Sequence, residues 1–85
     1  MKQKYSCPCC EFLTLDAPPP GTYEICPVCA WEDDPVQFND PDYIGGANQI
    51  SLNQAKNNFI KTGAADAALR RKVRPPREEE KPKCY

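Results

Sequence analysis

Two cysteine groups, Cys7-Pro8-Cys9-Cys10 and Cys26-Pro27-Val28-Cys29, stand fifteen residues apart. Two sulfurs from one Cys-x-x-Cys turn can reach a single ion, and structural zinc takes four ligands in a tetrahedron with thiolates favoured. Pro8 and Pro27 each follow the first cysteine of a pair. Proline fixes φ near −65°, which pre-organises such a turn. Cys7, Cys10, Cys26 and Cys29 are therefore the expected ligands of one Zn2+ ion. The chain has no histidine, so a mixed Cys/His site is excluded. A closed four-sulfur zinc site has neither redox chemistry nor an open coordination position, so its expected role is structural.

Cys9 sits inside the first pair. Joining it to Cys7 would make Cys-x-Cys, a poorer turn, so Cys9 is expected to point outward as a spare thiol. The alternative is a redox or metal-handling role for the vicinal Cys9-Cys10 thiols, in which oxidation releases the metal. Four thiolates also suit one iron ion, as in a rubredoxin-like electron carrier. Such turns usually carry glycine just after the second cysteine. Glu11 and Ala30 occupy those positions, which favours zinc. A catalytic role is not expected, because no histidine is available as a base and the carboxylates show no pairing. Nor does Glu32-Asp33-Asp34 have the ligand spacing of a calcium loop. It reads as a solvated acidic face.

The elements that must hold these pairs read as a small metal-bound α+β fold: a zinc-ribbon β-hairpin, one main α-helix packed on it and a short second helix. Residues 11–15 and 22–25 are rich in strand formers and flank the turn chemistry of 16–21. Their pairing would bring both knuckles together, with Lys4-Tyr5-Ser6 adding a short third strand. Trp31 is expected to cap the core, and residues 35–49 to form an irregular connection with Tyr43-Ile44 tucked inward. There, Gly45-Gly46 suits positive φ or close approach. Ser51 and Gln54 make a capping box opening a helix over 52–62, with Leu52, Ala55, Phe59 and Ile60 on its inner face and Gly63 at its end. Residues 64–72 suit a short second helix, stopped before Pro75-Pro76.

The bulk numbers agree with a stapled mini-domain. A chain of 85 residues with ten prolines has little material for a core, and chains this short usually need a metal or disulfide. The first residues show no apolar signal-peptide stretch and no segment approaches a membrane span, so the expected compartment is the cytoplasm, where thiols stay reduced. Residues 1–66 carry four Lys against nine acids, a balance of −5, whereas residues 67–85 carry seven Lys/Arg against three Glu, a balance of +4. The expected organisation is a domain over residues 1–74 and a disordered charged tail over 75–85 that contains Cys84. A protein partner is expected, met by Glu32, Asp33, Asp34, Asp40 and Asp42 and by the helix from Leu52. Nucleic acid is disfavoured by the negative domain, although Arg70, Arg71, Lys72, Arg74 and Arg77 could touch phosphates.

Several motifs in combination resemble the bacterial cysteine-rich CPCC family. They are Cys7-Pro8-Cys9-Cys10, Leu13-Thr14-Leu15, Tyr23-Glu24-Ile25-Cys26-Pro27-Val28-Cys29, Trp31-Glu32-Asp33-Asp34, Gly45-Gly46-x-Asn48, Ser51-Leu52-x-x-Ala55, Asn58-Phe59, Gly63-Ala64 and Val73-Arg74-Pro75-Pro76. The resemblance covers residues 5–77, with Glu11 departing from the family's usual glycine. It implies a zinc-ribbon-like protein of uncharacterised role, supports the same four ligands and brings no catalytic residues.

Overall fold

The computed structural model describes residues 4–82. Strand β1 (Tyr5–Ser6) pairs antiparallel with β2 (Leu13–Leu15), Tyr5 opposite Leu15 and Ser6 opposite Leu13. The first cysteine turn forms the tip of this hairpin. The second turn caps a hairpin of its own, in which Ile25 bridges Glu32 and Tyr23 N–H donates to the Asp33 carbonyl at 3.0 Å. The two units match at an offset of 19, from Cys7 to Cys26. Cys7 N–H donates to Phe12 O and Cys26 N–H to Trp31 O, both at 2.9 Å; Glu11 N–H returns to Cys7 O at 2.8 Å and Ala30 N–H to Cys26 O at 2.7 Å.

The expected class is present: an antiparallel two-strand hairpin, a main helix, a short helix and a four-cysteine cluster. The strand pairing inside it differs from the expected pairing of 11–15 with 22–25. A Cys-x-x-Cys turn is already a reverse turn, so pairing across it closes only a short loop and costs little chain entropy. The intervening segment holds Pro18, Pro19 and Pro20, which have no N–H to donate to a ladder. It is closed by a side chain instead, the Glu24 carboxylate accepting Asp16 N–H at 2.8 Å and Ala17 N–H at 3.1 Å.

Residues 35–49, expected to be irregular, begin with a helix, α1 (Pro35–Asn39). Asp34 is its N-cap and Pro35 takes the first helical position, where a missing N–H costs nothing. This overturns the reading of Asp33 and Asp34 as a solvated face, since they are 1% and 5% exposed. Asp34 Oδ1 accepts from Val36 N–H at 2.7 Å and Oδ2 from Ala47 N–H at 2.7 Å. These bonds, with Ala47 foremost, hold its carboxyl below the usual range. Asp33 Oδ2 accepts from Thr22 N–H at 2.9 Å.

The loop after α1 is packed by amides. Gln37 is fully buried. Its Nε2 donates to the carbonyls of Ile50 (2.8 Å) and Tyr43 (3.1 Å), and its Oε1 accepts from Asn48 N–H (3.1 Å) and Nδ2 (2.9 Å). Asn48 in turn clamps the Glu32 backbone from both sides, accepting its N–H at 2.9 Å and donating to its carbonyl at 2.8 Å. The side chain of Asn48 thus takes the place of a third strand beside the second hairpin. With polar groups filling this interior, Tyr43 and Ile44 face outward rather than tucking in.

Helix α2 (Leu52–Thr62) starts at Ser51, whose Oγ accepts Gln54 N–H at 3.1 Å, and ends on Gly63 at φ 84°. Only half of the expected capping box forms, because Gln54 Nε2 donates forward to Asn58 Oδ1. Leu52 and Ala55 are buried, and Phe59 meets Phe12 edge-on with ring centroids 6.1 Å apart. Ile60, expected on the inner face, is 81% exposed. At about 100° per residue it lies roughly 80° around the helix from Leu52, away from Ala55 and Phe59. A 3-10 helix, Ala67–Lys72, follows, capped by Asp66 Oδ1 accepting Ala68 N–H at 3.0 Å.

The span expected as a disordered charged tail, 75–85, is described through residue 82. A 3-10 turn, Glu78–Glu80, packs near β2. Arg74 holds both Glu80 carboxylate oxygens, at 2.8 and 2.6 Å, and Arg77 N–H adds a third bond at 2.8 Å. The desolvated charges thus satisfy one another, and Glu80 is buried. Cys84, expected in the tail, lies outside the described residues.

Candidate metal centre

The four predicted ligands meet where the two hairpin tips face each other. The sulfurs of Cys7, Cys10, Cys26 and Cys29 all lie within 4.8 Å of one another. Cys7 Sγ is 3.6 Å from Cys29 Sγ, and Cys10 Sγ is 3.7 Å from Cys26 Sγ. A tetrahedron with metal–sulfur bonds of about 2.3 Å has edges of about 3.8 Å, so the set fits one ion. A disulfide needs about 2.05 Å, and all five described cysteines are free. Each contact pairs one knuckle with the other, so an ion held here would lock the hairpins together.

The sulfurs are held from outside the knuckles as well. The Thr14 hydroxyl lies 3.0 Å from Cys26 Sγ, tying β2 to the second knuckle, and Trp31 N–H donates to Cys29 Sγ at 3.5 Å. No spacing rule singles out Thr14, twelve residues from Cys26. The Phe12/Trp31 correspondence was visible as a sequence repeat at the same offset as the cysteines.

Ionisation explains why this cluster calls for a cation. Hydrogen bonds from Cys10, then Cys29, Cys7 and Thr14, pull the Cys26 thiol far below its ordinary range. The same contacts, led by Cys26 for Cys10 and by Cys10 for Cys29, together with burial, push those two thiols far above it. The cluster thus favours a thiolate at Cys26 with Cys10 and Cys29 protonated. Holding all four as thiolates requires a positive charge between them.

Two expectations about this site are corrected. Cys9 does not point outward: it is 5% exposed and belongs to the core with Val28, Trp31, Leu52 and Ala55. A small hydrophobic thiol beside α2 has more to gain from packing than from solvent. The residues standing where glycine was expected also leave the turns unaltered. Glu11 and Ala30 adopt left-handed backbone at φ 69° and 72°. Their difference from glycine therefore says nothing about which metal binds. It does carry strain, of about 1 kcal/mol for a non-glycine residue in this region. Glu11→Gly, at an exposed position, should leave the turn intact and raise the thermal midpoint of the metal-loaded chain, gaining up to about 1 kcal/mol before the greater entropy of unfolded glycine is subtracted. A fall in the midpoint would show that the strain relieved is smaller than the entropy of unfolded glycine together with what the Glu11 side chain contributes.

The C-terminal strap crosses the centre. Arg74 N–H donates to Pro27 O at 3.1 Å, within the second knuckle, while the Glu78–Glu80 turn sits near β2 of the first hairpin. Its latch is Glu80, whose carboxyl is lowered to about 2, first by the Arg74 guanidinium and then by Arg77 N–H. A carboxyl depressed on folding stabilises the fold above its unfolded pKa, and that contribution fades as pH falls from about 5 towards 2. Glu80→Gln should cost about 1 kcal/mol at pH 7, seen as a lower urea midpoint, and the gap to wild type should close on acidification. A gap independent of pH would remove the charge from the explanation.

Among the described residues, no helix is long and apolar enough to cross a membrane. No curated protein matches the sequence significantly. A family model described as cysteine-rich CPCC matches residues 5–80, a span that takes in both hairpins, α1, α2 and the strap through Glu80. With that match over most of its length and the two knuckles closing on four sulfurs, the chain belongs to the cysteine-rich CPCC family.

Proposed function

We propose that this chain is a non-catalytic, zinc-stapled binding module that docks a protein partner in the cytoplasm. The observation that carries the reading is the complete set of four converging sulfurs, three of them on buried residues. Four protein ligands leave zinc no position for water or substrate. The absence of histidine supports a role without acid–base chemistry. A redox role for Cys9 loses support from its burial, since a reactive thiol needs access and a lowered pKa. Of the acidic residues expected to meet the partner, Asp33 and Asp34 are buried and bonded internally, which leaves Glu32, Asp40, Asp42 and the outer face of α2 for contact.

Zinc is preferred over iron on the environment of the sulfurs. Outside the cysteines themselves, they receive one backbone N–H and one hydroxyl contact among the described residues. A redox iron site is tuned through several such bonds and through exposure, whereas a structural ion needs only its four ligands. Elemental analysis of chain purified without added metal should return one zinc per chain. A red preparation with stoichiometric iron would replace zinc by iron and reopen electron transfer. For the partner, the metal-loaded chain should form a stoichiometric complex with an identified protein that is lost on chelation. Failure to find any such complex across expression conditions would remove the docking role.

A further inference from the structure

We propose that the cleft between the second hairpin and the Ala67–Lys72 helix receives an extended peptide segment. That segment has an apolar anchor, an acidic residue towards Lys72 and a basic residue towards Glu32. This inference rests on the protein-docking reading and gives it a place and a ligand chemistry.

The cleft has a volume of about 370 Å³. Trp31 and Ile50 lie among its lining, with Ile25 from the hairpin and Leu69 from the 3-10 helix. Ile25 is 63% exposed there. An open apolar hollow of this size matches the lower range of ligand sites. The helix lies about 12 Å along its axis at roughly 2 Å per residue, the length of about four extended residues.

The charges around the hollow set the polarity of the occupant. With 3.0 residues per turn, Leu69 and Lys72 share one face of the 3-10 helix, and Ala68 and Arg71 the next. Leu69 therefore meets the anchor while Lys72 forms a cationic end, with Arg71 on the adjacent face outside the lining. Both cations are exposed, and the ion pairs of the described residues use Lys4, Arg74 and Lys81 instead. Asp66 also lines the cleft, but its carboxylate is committed to capping the helix. Across the cleft stands Glu32, whose backbone is clamped on both sides by Asn48. That backbone is pinned, and among the described residues the Glu32 carboxylate forms no ion pair. Opposed free charges over an apolar floor suit a segment that is itself dipolar. A nucleic acid would place phosphates against Glu32 and bury no base edge in so apolar a hollow.

Trp31 is the only tryptophan of the chain, so its fluorescence reports occupancy in the full-length, metal-loaded protein. The probes are two synthetic pentapeptides with blocked ends, Lys-Ala-Leu-Leu-Glu and the reverse order Glu-Leu-Leu-Ala-Lys, one for each chain direction across the cleft. At least one should give a saturable Trp31 change. Lys72→Glu should weaken that binding by about tenfold or more, and replacing the peptide's Glu by Lys should restore most of it. Leu69→Asp, outside the core cluster, should abolish binding with metal content unchanged. The proposal falls if neither peptide binds up to its solubility limit or if Lys72→Glu has no effect. It also falls if an oligothymidylate binds in place of the peptides, or if the signal follows protein concentration as for a second copy of the chain. A natural partner that binds the Leu69→Asp and wild-type chains equally would overturn this groove and leave the docking role standing. Peptide binding without any natural partner complex would overturn the docking role alone.

Discussion

Removing the metal with excess EDTA should abolish the cooperative thermal transition of this protein and release both hairpins together. The reason lies in what the core is made of. Among the largest fully buried side chains only Trp31, Leu15 and Val28 are hydrocarbon or aromatic; the rest are Gln37, Asp33, Cys7, Cys26 and Cys29. Three of the four predicted ligands are thus also core residues. Structural zinc contributes on the order of 10–16 kcal/mol in apparent terms at neutral pH, as much as the whole net stability of an ordinary domain. Without it the hairpins are left with the Thr14–Cys26 contact, the C-terminal strap and the small shared core to join them. Cys26→Ser should reproduce the effect, because Cys26 is the sulfur on which the other three and Thr14 converge. Circular dichroism and elemental analysis on the same sample provide the check. A cooperative transition at the original midpoint, with the metal shown to be gone, would mean the apolar packing suffices.

The second large effect is expected far from the sulfurs. Gln37→Ala should destabilise the metal-loaded chain by about 3–5 kcal/mol. The buried amide serves two carbonyls and two donors of the loop over residues 43–50 at 3.1 Å or less. Each group left buried and unpaired costs about 1–3 kcal/mol, and the truncation also leaves a cavity. The loop sets Asn48, and Asn48 holds Glu32, so the second hairpin should loosen as well. Hydrogen exchange is expected to quicken at Glu32 and Asn48 in the variant, while the Cys7 amide stays protected. Gly46→Ala tests the same knot by overpacking. A Cβ there would sit 2.8 Å from Gln37 Cδ and in collision with Asp34 Oδ2. Forced shifts of this kind cost about 1–3 kcal/mol. Full stability in both variants would mean that the loop is merely draped over the core.

How legible these features were depended on the range of the interactions. The α2 boundaries could be read because an N-cap serine and a left-handed glycine are local devices, fixed by residues within one turn. Asp34-Pro35 carried the same kind of signal for α1, but the many turn-forming residues around it concealed a helix of five residues. Ile60 fits a helical stripe by spacing but falls outside it in space, because 100° per residue carries it past the edge of the face set by Leu52, Ala55 and Phe59. The burial of Asp33 and Asp34 was hidden for a different reason: an acidic run looks solvated until the backbone amides that receive it are known. Ala47 N–H and Thr22 N–H come from loops thirteen and eleven residues away.

Four sulfurs at two Cys-x-x-Cys turns, and the need for a staple in a chain so rich in proline, were determined by sequence alone, because ligand type and turn spacing are local chemistry. So was the core role of Trp31, placed beside the second knuckle. Only the tertiary structure decided that each knuckle closes its own hairpin, that Glu11 and Ala30 take the left-handed backbone of glycine, and that Cys9 turns inward. It also decided that the acidic run is internal and that the chain through Glu80 is latched across the centre. These outcomes depend on which distant donors and apolar surfaces arrive beside a residue, and burial reverses the preference of a thiol or a carboxylate once its partners are supplied.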